Sequence, residues 1–463
     1  MTIFIAPNME QIIQSLRSIP ADRISFEEVG RVLYQTDPAS YPYAEHLPEK
    51  VTTGYSRKIV TLDPIECLVL YWSPGAASAV HFHEGFWGYV AVVRGVCQNV
   101  EYAMKDGILR ETSITTVHAG GIVPEQDNII HTIRNGSETQ PLITVHFYHP
   151  ALVNLDGLQI YDLANGRIGI LNDQAASASW DEPVSSFSRI TDHAFSYDTS
   201  GDDEPASHII RPLIPKPDAT TISNMLEAYY DDQATMYDYL DQAYASRKLY
   251  IEGINSRIAG HLQQAGNVDR LLAMACGTGR RATEIRTLSG KDYQIIGVDL
   301  SKEMVEQAKD RDLEIMHASW NDFELHLSGK FDILTTLYAF GHLSCHEVRV
   351  DYLRRLLRLA KQGALLFVDV FNLDDQTEWG PLIREMHRKL HLKHFNYESG
   401  DVFYSRNRHD HLAYLHYFTE TEIRKLVAES GWKIRSLEYV GYSNHPGETS
   451  SSDSGNIFLV LEA

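Results

Sequence analysis

Three histidines offer the first chemistry in the chain. His81 and His83 stand one residue apart in GAASAVHFHEGFWGYVAVVRG, residues 75–95. On a strand, residues i and i+2 point to the same face, so both imidazoles can converge on one point. His131, in HTIRN, is a third candidate far along the chain. Imidazole is a common ligand for divalent transition metals. A second stretch, ACGTG at residues 275–279, follows the apolar run RLLAMA and opens a helical pattern. Glycines there let a ligand approach the backbone and place it at a helix N-terminus. Asp299 ends the run QIIGVD, and a carboxylate at that place can accept hydrogen bonds from two ribose hydroxyls. On its own, the glycine loop with its acid fits a nicotinamide enzyme or a methyltransferase.

These residues need elements to hold them. Residues 8–19 read as a short amphipathic helix, with Asn8 able to cap it and Met9, Ile12, Ile13 and Leu16 as its stripe. A second helix is expected around 26–34. From Gly54 to Pro150 the texture changes to short β-rich runs such as IECLVLYW, YVAVVRGVCQNVEYAM and PLITVHFY, which suggest a sandwich or barrel. LQIYDLANGRIGILN adds a hairpin turning at Asn165-Gly166. Residues 174–218 are small, acidic and proline-rich, a linker by composition. From Ile222 onward a helical, tyrosine-rich segment leads into alternating strands and helices, as in a parallel doubly wound sheet. It ends in helix, strand, strand.

The pattern of Gly75, His81, His83 and Gly95, with His131 and Asn135 later, resembles the two metal motifs of cupin barrels. The acid usual in that family falls on Gly88, so the resemblance implies three histidines and no carboxylate. Three neutral imidazoles leave a divalent ion its full charge, which favours an anionic ligand, and a thiolate suits iron. Coordination also drives loss of the thiol proton.

Over about residues 50–175 the likeness sharpens to the cysteine dioxygenase family of thiol dioxygenases. YSR (Tyr55, Ser56, Arg57) precedes the strand LVLYW, and TVHFY carries Thr144, His146 and Tyr148. The resemblance implies Fe(II) on His81, His83 and His131, dioxygen as co-substrate and Arg57 gripping a substrate carboxylate. It also implies a relay of Thr144, His146 and Tyr148. Thr144 replaces the usual serine, and its hydroxyl can still bond the imidazole. Gly88 replaces the cysteine that crosslinks to tyrosine in animal enzymes, so no thioether is expected. A lone HxH is more often two ordinary histidines; the register of the other residues is what separates this one.

Residues 222–463 resemble class I S-adenosylmethionine-dependent methyltransferases, on the short ACGTG loop, on VDLSKEMVEQAK and on the helical tyrosine-rich lead-in. The resemblance implies S-adenosylmethionine held by Ala275, Gly277, Gly279, Asp299, Met304, Ser319, Trp320 and Tyr338. Asp322 is a further candidate at the adenine. Tyr229, Tyr230 and Tyr237 could form a lid. Ala273 replaces an acid usual in the first strand. Some of the late histidines, among them His342, His409 and His416, could act as a general base.

Composition bounds the rest. At 463 residues two to four domains are expected. The formal net charge of −21 argues against nucleic acid as a partner. Four cysteines with no CxxC read as reduced thiols of a cytoplasmic protein. No signal peptide or membrane span is evident, and the oligomeric state is not encoded legibly.

The expected architecture is an all-β cupin barrel with N-terminal helices (1–175), a linker (176–217) and an α/β doubly wound, Rossmann-like methyltransferase domain (218–463). The expected function is bifunctional: oxygenation of a small carboxylated thiol, cysteine or a mercapto acid, to its sulfinate, and methylation of a small molecule, with the oxidised product as one candidate. Two alternatives stand beside it. The cupin could be a metal-binding sensor or assembly domain for a methyltransferase, or an oxygenase acting on a non-thiol substrate.

Overall fold

The structure, a computed structural model, describes residues 9–198, 209–405 and 411–463. Asn8 and His409 lie outside them. The described residues form two compact units. Unit 1 runs to Lys216 and takes in Lys389–Asn396; unit 2 runs from Pro217 to Arg388 and takes in Tyr397–Ser405 and the residues to Ala463.

Unit 1 opens with α1 (Met9–Arg17), whose Met9, Ile12, Ile13 and Leu16 are buried, and α2 (Phe26–Leu33), capped where Ser25 accepts from the Glu28 amide. Its strands are β1 (Tyr55–Thr61), β2 (Glu66–Trp72), β3 (Val80–Phe82), β4 (Trp87–Arg94), β5 (Val96–Lys105) and β6 (Ile108–His118). They continue as β7 (Ile122–Glu125), β8 (Ile130–Asn135), β9 (Leu142–His149), β10 (Gln159–Asp162) and β11 (Arg167–Leu171). Then come β12 (Phe187–Thr191), β13 (Ser196–Asp198), β14 (Ile209–Ile210) and β15 (Leu213–Ile214).

One sheet has the order β1-β2-β9-β4-β7; the other has β12-β11-β10-β3-β8-β5-β6-β13, with β15 also beside β6. Within β1–β11 the pairing is antiparallel. The hairpin β10–β11 turns through Gly166 at φ +63° and lies against β3, the strand that bears His81.

The stretch 176–217 corrects the expectation of a linker. It supplies β12, which pairs antiparallel with β11, and β13 and β15, which run parallel to β6. Composition hid this because these strands are two to five residues long, too short for an alternating pattern to stand out. Leu213 and Ile214 are buried, which anchors the apolar part of IIRPLI.

Unit 2 begins with α3 (Ala219–Gln233), α4 (Tyr237–Ala243) and α5 (Ala245–Gln264). Then β16 (Arg270–Met274), α6 (Arg280–Ser289), β17 (Gln294–Asp299), α7 (Lys302–Ala308), β18 (Glu314–His317), β19 (Phe331–Thr336), α8 (His346–Leu359) and β20 (Ala360–Val370) alternate. After α9 (Gly380–Lys389) come the hairpin β21 (Asp401–Ser405) and β22 (Ala413–His416), α10 (Glu420–Ser430), β23 (Lys433–Val440) and β24 (Asn456–Glu462).

The sheet order is β18-β17-β16-β19-β20-β24-β23. The first five strands are parallel; β24 runs antiparallel to both neighbours. Alternation along β16 feeds two cores. Leu272 and Met274 join Leu353 and Leu426, whereas Leu271 and Ala273 join Tyr250, Ile254 and Ile285. Strand order reverses between β16 and β19, and loops diverging there leave a crevice at the carboxyl ends. Among the described residues no helix is long and apolar enough to cross a membrane.

Candidate functional site

In unit 1, His81 on β3 pairs directly with His131 on β8, and His83 follows at the end of β3. The three Nε2 atoms form a triangle of 2.9 Å (His131–His83), 3.1 Å (His131–His81) and 3.3 Å (His83–His81). Ligands about 2.1 Å from one ion stand about 3.0 Å apart at right angles and about 3.4 Å apart in a tetrahedron, so these spacings fit one shared ion.

Proton placement agrees. The His81 Nδ1 lies 3.0 Å from the Ala79 carbonyl, and the His131 Nδ1 lies 2.7 Å from Asn99 Oδ1. Those acceptors put the hydrogen on Nδ1 and leave the Nε2 lone pair facing inward. Burial lowers the basicity of all three rings, His81 to about 4 and the others well below the usual value, with neighbouring histidines adding to the effect at His83 and His131. The inward lone pairs of His81 and His131 stand 3.1 Å apart with His83 Nε2 within 3.3 Å of both, an arrangement that a shared cation would satisfy, and that is the fit to a metal.

A chain of hydrogen bonds runs beside this triangle. Thr144, His146 and Tyr148 alternate on β9 and so share a face. The Trp72 indole donates to Thr144 Oγ1 at 2.9 Å, Thr144 Oγ1 is 2.9 Å from His146 Nε2, and His146 Nδ1 is 2.8 Å from the Tyr148 hydroxyl. Tyr148 then donates to Glu125 Oε2 at 3.0 Å. An indole can only donate, so the threonine oxygen accepts at that end and its own proton is free for His146. Burial pushes His146 down to about 3 and holds the Tyr148 hydroxyl protonated.

Glu125 is a finding that spacing did not foretell. It is fully buried on β7, opposite Gly88, with its oxygens 3.9 Å from His83 Nε2 and 3.7 Å from His131 Nδ1. It stands outside the cluster of three histidines that could share an ion. Burial raises its carboxyl to about 8, against the pull of the Tyr148 hydrogen bond. Gly88 makes room for this: a Cβ there would overlap the Tyr148 ring and the Phe147 carbonyl.

Tyr55, Arg57, Glu66, Trp72, His81, His83, His146 and Tyr148 line one cavity with Phe86 and several leucines. Arg57 therefore faces the same space as two of the three histidines. The Tyr55 hydroxyl accepts from the Ala178 amide at 2.8 Å, which pins the segment after β11 over the cavity. Glu66 was not anticipated. It begins β2, and its alternation with Leu68, Leu70 and Trp72 puts a carboxyl on an apolar face, which was the signal available. One oxygen accepts from the Leu152 amide at 2.7 Å and the other has no hydrogen-bond partner. Burial raises Glu66 to about 7, with the Leu152 amide and Arg57 opposing.

In unit 2 a cavity opens at the sheet's switch point, lined by Ala275, Gly277, Asp299, Met304, Trp320 and Tyr338, among others. Gly277 has φ +56° and Ala275 φ +47°, so the loop after β16 is turned tightly. Asp299 closes β17 and accepts from the Gly277 amide at 2.7 Å and the Ser301 amide at 2.9 Å, which fixes the loop; a carboxylate has further lone pairs for a ligand.

Two expected residues lie off the wall. Gly279 caps α6 at φ +76°, a conformation that favours glycine, and does not line the cavity. Ser319 donates to Asp322 Oδ1 at 2.7 Å, so its hydroxyl is committed to a turn and Asp322 is its support. Of the tyrosines expected as a lid, Tyr230 and Tyr237 line the cavity, whereas Tyr229 is buried in the core. Ala273 lies among the apolar side chains under α5, where an acid would have no room for solvent.

Tyr338, at φ +59°, has its ring 5.7 Å from the Arg247 guanidinium and 5.4 Å from that of Arg281. Nothing in the local sequence marked these arginines. A second cluster with ligand-type side chains, Glu398, His416 and Glu422, surrounds the buried Arg349, which pairs with Glu398 and lies 3.7 Å from Glu422. A guanidinium already holds the place of a cation there.

Similarity to known proteins follows the same division. Residues 4–162 match the family described as cysteine dioxygenase type I, and residues 242–437 match the family described as a methyltransferase domain. Among solved structures, an S-adenosylmethionine-dependent methyltransferase from Clostridium acetobutylicum is 16% identical, over 50% of this chain and 98% of that one, with a TM-score of 0.37. The 1,6-didemethyltoxoflavin-N1-methyltransferase of Burkholderia thailandensis is 13% identical, over 56% of this chain and 96% of that one, at 0.36. CcbJ of Streptomyces caelestis, also a methyltransferase, is 14% identical over 51% and 98%, at 0.36. No curated protein sequence matches the chain.

Proposed function

We propose that the protein is a bifunctional enzyme in which unit 1, read as a cupin barrel, oxygenates a small carboxylated thiol to its sulfinate and unit 2 methylates a small molecule. The observation that carries the first half is the triangle of Nε2 atoms, two of whose histidines line one cavity with Arg57, His146 and Tyr148. His81, His83 and His131 would hold Fe(II), and that ion would supply a place for a thiolate and the redox chemistry through which dioxygen reacts.

The chain's own residues do the rest. Arg57 presents a planar fork to the substrate carboxylate. The apolar wall of Leu68, Leu70, Phe86 and Leu155 keeps water from the sulfur. Tyr148 keeps its proton and, held by His146 and Glu125, offers a hydroxyl at a fixed place.

For unit 2 the supporting feature is the cleft at the switch point, with its tight glycine loop and Asp299. These suit S-adenosylmethionine, with Met304 and Trp320 toward the adenine and Tyr338 toward the methyl. The sulfonium is already activated, so alignment with a nucleophile supplies much of the rate. Cysteine or a mercapto acid is the proposed thiol, and the oxidised product is one candidate acceptor. The four cysteines are free thiols, which suits a reducing compartment such as the cytoplasm.

Mass spectrometry of products from the iron-loaded protein with a thiol panel tests this, with and without S-adenosylmethionine. A sulfinate appearing under oxygen, and methyl label on a small molecule, is expected. Oxygen uptake by no thiol would discard the oxygenase half and favour a sensor role for unit 1.

A further inference from the structure

The wall of the unit 2 cavity carries a pair of side chains outside the set assigned above to S-adenosylmethionine. Tyr230 on α3 and His342, in the turn between β19 and α8, both line it and both are partly exposed. The Tyr230 hydroxyl is 2.7 Å from His342 Nε2, and His342 Nδ1 is 2.6 Å from the Tyr414 backbone carbonyl. A carbonyl oxygen only accepts, so Nδ1 carries a hydrogen. In the neutral ring Nε2 is then a lone pair, and the tyrosine donates to it. This is a base whose tautomer is fixed from behind and whose contact with the cavity runs through a phenol oxygen.

We propose that Tyr230 and His342 are the acid–base pair of the methyl transfer, and that the acceptor atom is one that must lose a proton: an amine, hydroxyl or thiol. The inference rests on reading unit 2 as a methyltransferase. The acceptor X–H passes its proton to the Tyr230 oxygen as Tyr230 passes its own to His342 Nε2. The electron pair left on X forms the bond to the methyl carbon. The carbon–sulfur bond of the sulfonium donor breaks with its pair returning to sulfur. The products are X–CH3, a neutral thioether and a proton on His342, whose imidazolium is stabilised by the Tyr414 carbonyl.

A sulfinate sulfur or a thioether offers a lone pair with no proton to remove, and neither needs this pair. The dyad therefore divides acceptor classes. If cysteine sulfinate is the acceptor, its amine is the atom methylated.

Three measurements on the full-length protein test the proposal. Calorimetry with S-adenosylhomocysteine comes first: failure of the wild type to bind it would refute the methyltransferase reading itself. With that ligand bound, ¹⁵N spectra of histidine-labelled protein are expected to show His342 protonated at Nδ1 and bare at Nε2, with the Nε2 signal shifting in Tyr230→Phe. A protonated Nε2 overturns the proposal, and this arm needs no acceptor.

Label transfer from methyl-labelled S-adenosylmethionine to cysteine, cysteine sulfinate, 3-mercaptopropionate and methionine follows. His342→Ala is expected to lose about a hundredfold or more in kcat. Its KM for the donor should stay within about threefold, and added imidazole should restore turnover. Undiminished transfer in His342→Ala, or label on the sulfinate sulfur or the methionine thioether, would also overturn it. A purely structural tie between α3 and the turn would not be rescued by imidazole.

Discussion

Arg57 and Glu66 show how single side chains set the chemistry of the unit 1 cavity. Both line it, and they carry opposite formal charges when ionised. Replacing Arg57 with Ala should raise KM for a carboxylated thiol about ten- to a hundredfold, the weight of a charge-assisted pair. Cysteamine, which has no carboxylate, should be oxidised about as well by the variant as by the wild type. Steady-state oxygen uptake with both thiols checks this; an equal loss for both would mean that Arg57 is structural.

Glu66 bears on stability. Its carboxyl is raised from an ordinary value of 4.5 to about 7 by burial. Between those values the folded chain holds a proton that the unfolded chain has released. The contribution is therefore fully present below pH 4.5 and is lost as pH rises through about 7. Glu66→Gln stays neutral throughout. Melting temperatures should diverge in favour of the variant between pH 5 and pH 8, about the span over which this group titrates. A constant difference across that range would mean that Glu66 is ionised in the folded state.

At this scale the sequence was legible where residues sit at strand spacing. His81, His83 and the set Thr144, His146 and Tyr148 repeat every second residue, so one face was implied. Glu125 was illegible as a site member because a lone acid in a strand looks like a solvent-facing residue until its partners are known, whereas Glu66 left a signal in its alternation with Leu68, Leu70 and Trp72.

Among the elements, β4 and β7 decide what surrounds the histidines. Gly88 on β4 pairs with Tyr148 on β9 and with Glu125 on β7, so three strands meet at the one residue without a side chain. Gly88→Ala would force the Tyr148 ring or the Phe147 carbonyl aside. Overpacking of this kind costs about 1–3 kcal/mol. The variant should melt several degrees lower and, if Tyr148 moves off Glu125, should lose oxygenase turnover while retaining metal. Calorimetric unfolding together with iron analysis checks it; wild-type melting would show that β4 and β9 have room to separate. Gly88 itself was visible in the sequence, but the carboxyl that bonds Tyr148 came from a strand more than thirty residues away.

The segment 176–217 teaches the same lesson in reverse. Composition favoured a linker, and tertiary pairing with β6 and β11 made strands of parts of it. Backbone hydrogen bonding to a preformed edge does not require an alternating pattern in the segment that joins it.

For the whole molecule, the two cavities share no lining residue. Stripping iron with a chelator should abolish thiol-dependent oxygen uptake and leave the S-adenosylhomocysteine dissociation constant within about twofold, as for independent sites. His83→Ala should reproduce that result with low iron content. A large change in nucleotide affinity on metal removal would instead reveal coupling, and would favour a sensor role for unit 1.

By itself the sequence marked residues of the two candidate sites, because period-two histidines and a glycine loop between a strand and a helix are local patterns fixed by backbone geometry. It also determined the alternation that builds the unit 2 sheet. Only the tertiary structure decided which distant groups meet: His131 with the other two histidines, Glu125 hydrogen-bonded to Tyr148, Glu66 in one cavity with Arg57, and His342 against Tyr230. Long-range pairing sets those distances, and no spacing within a single element encodes them.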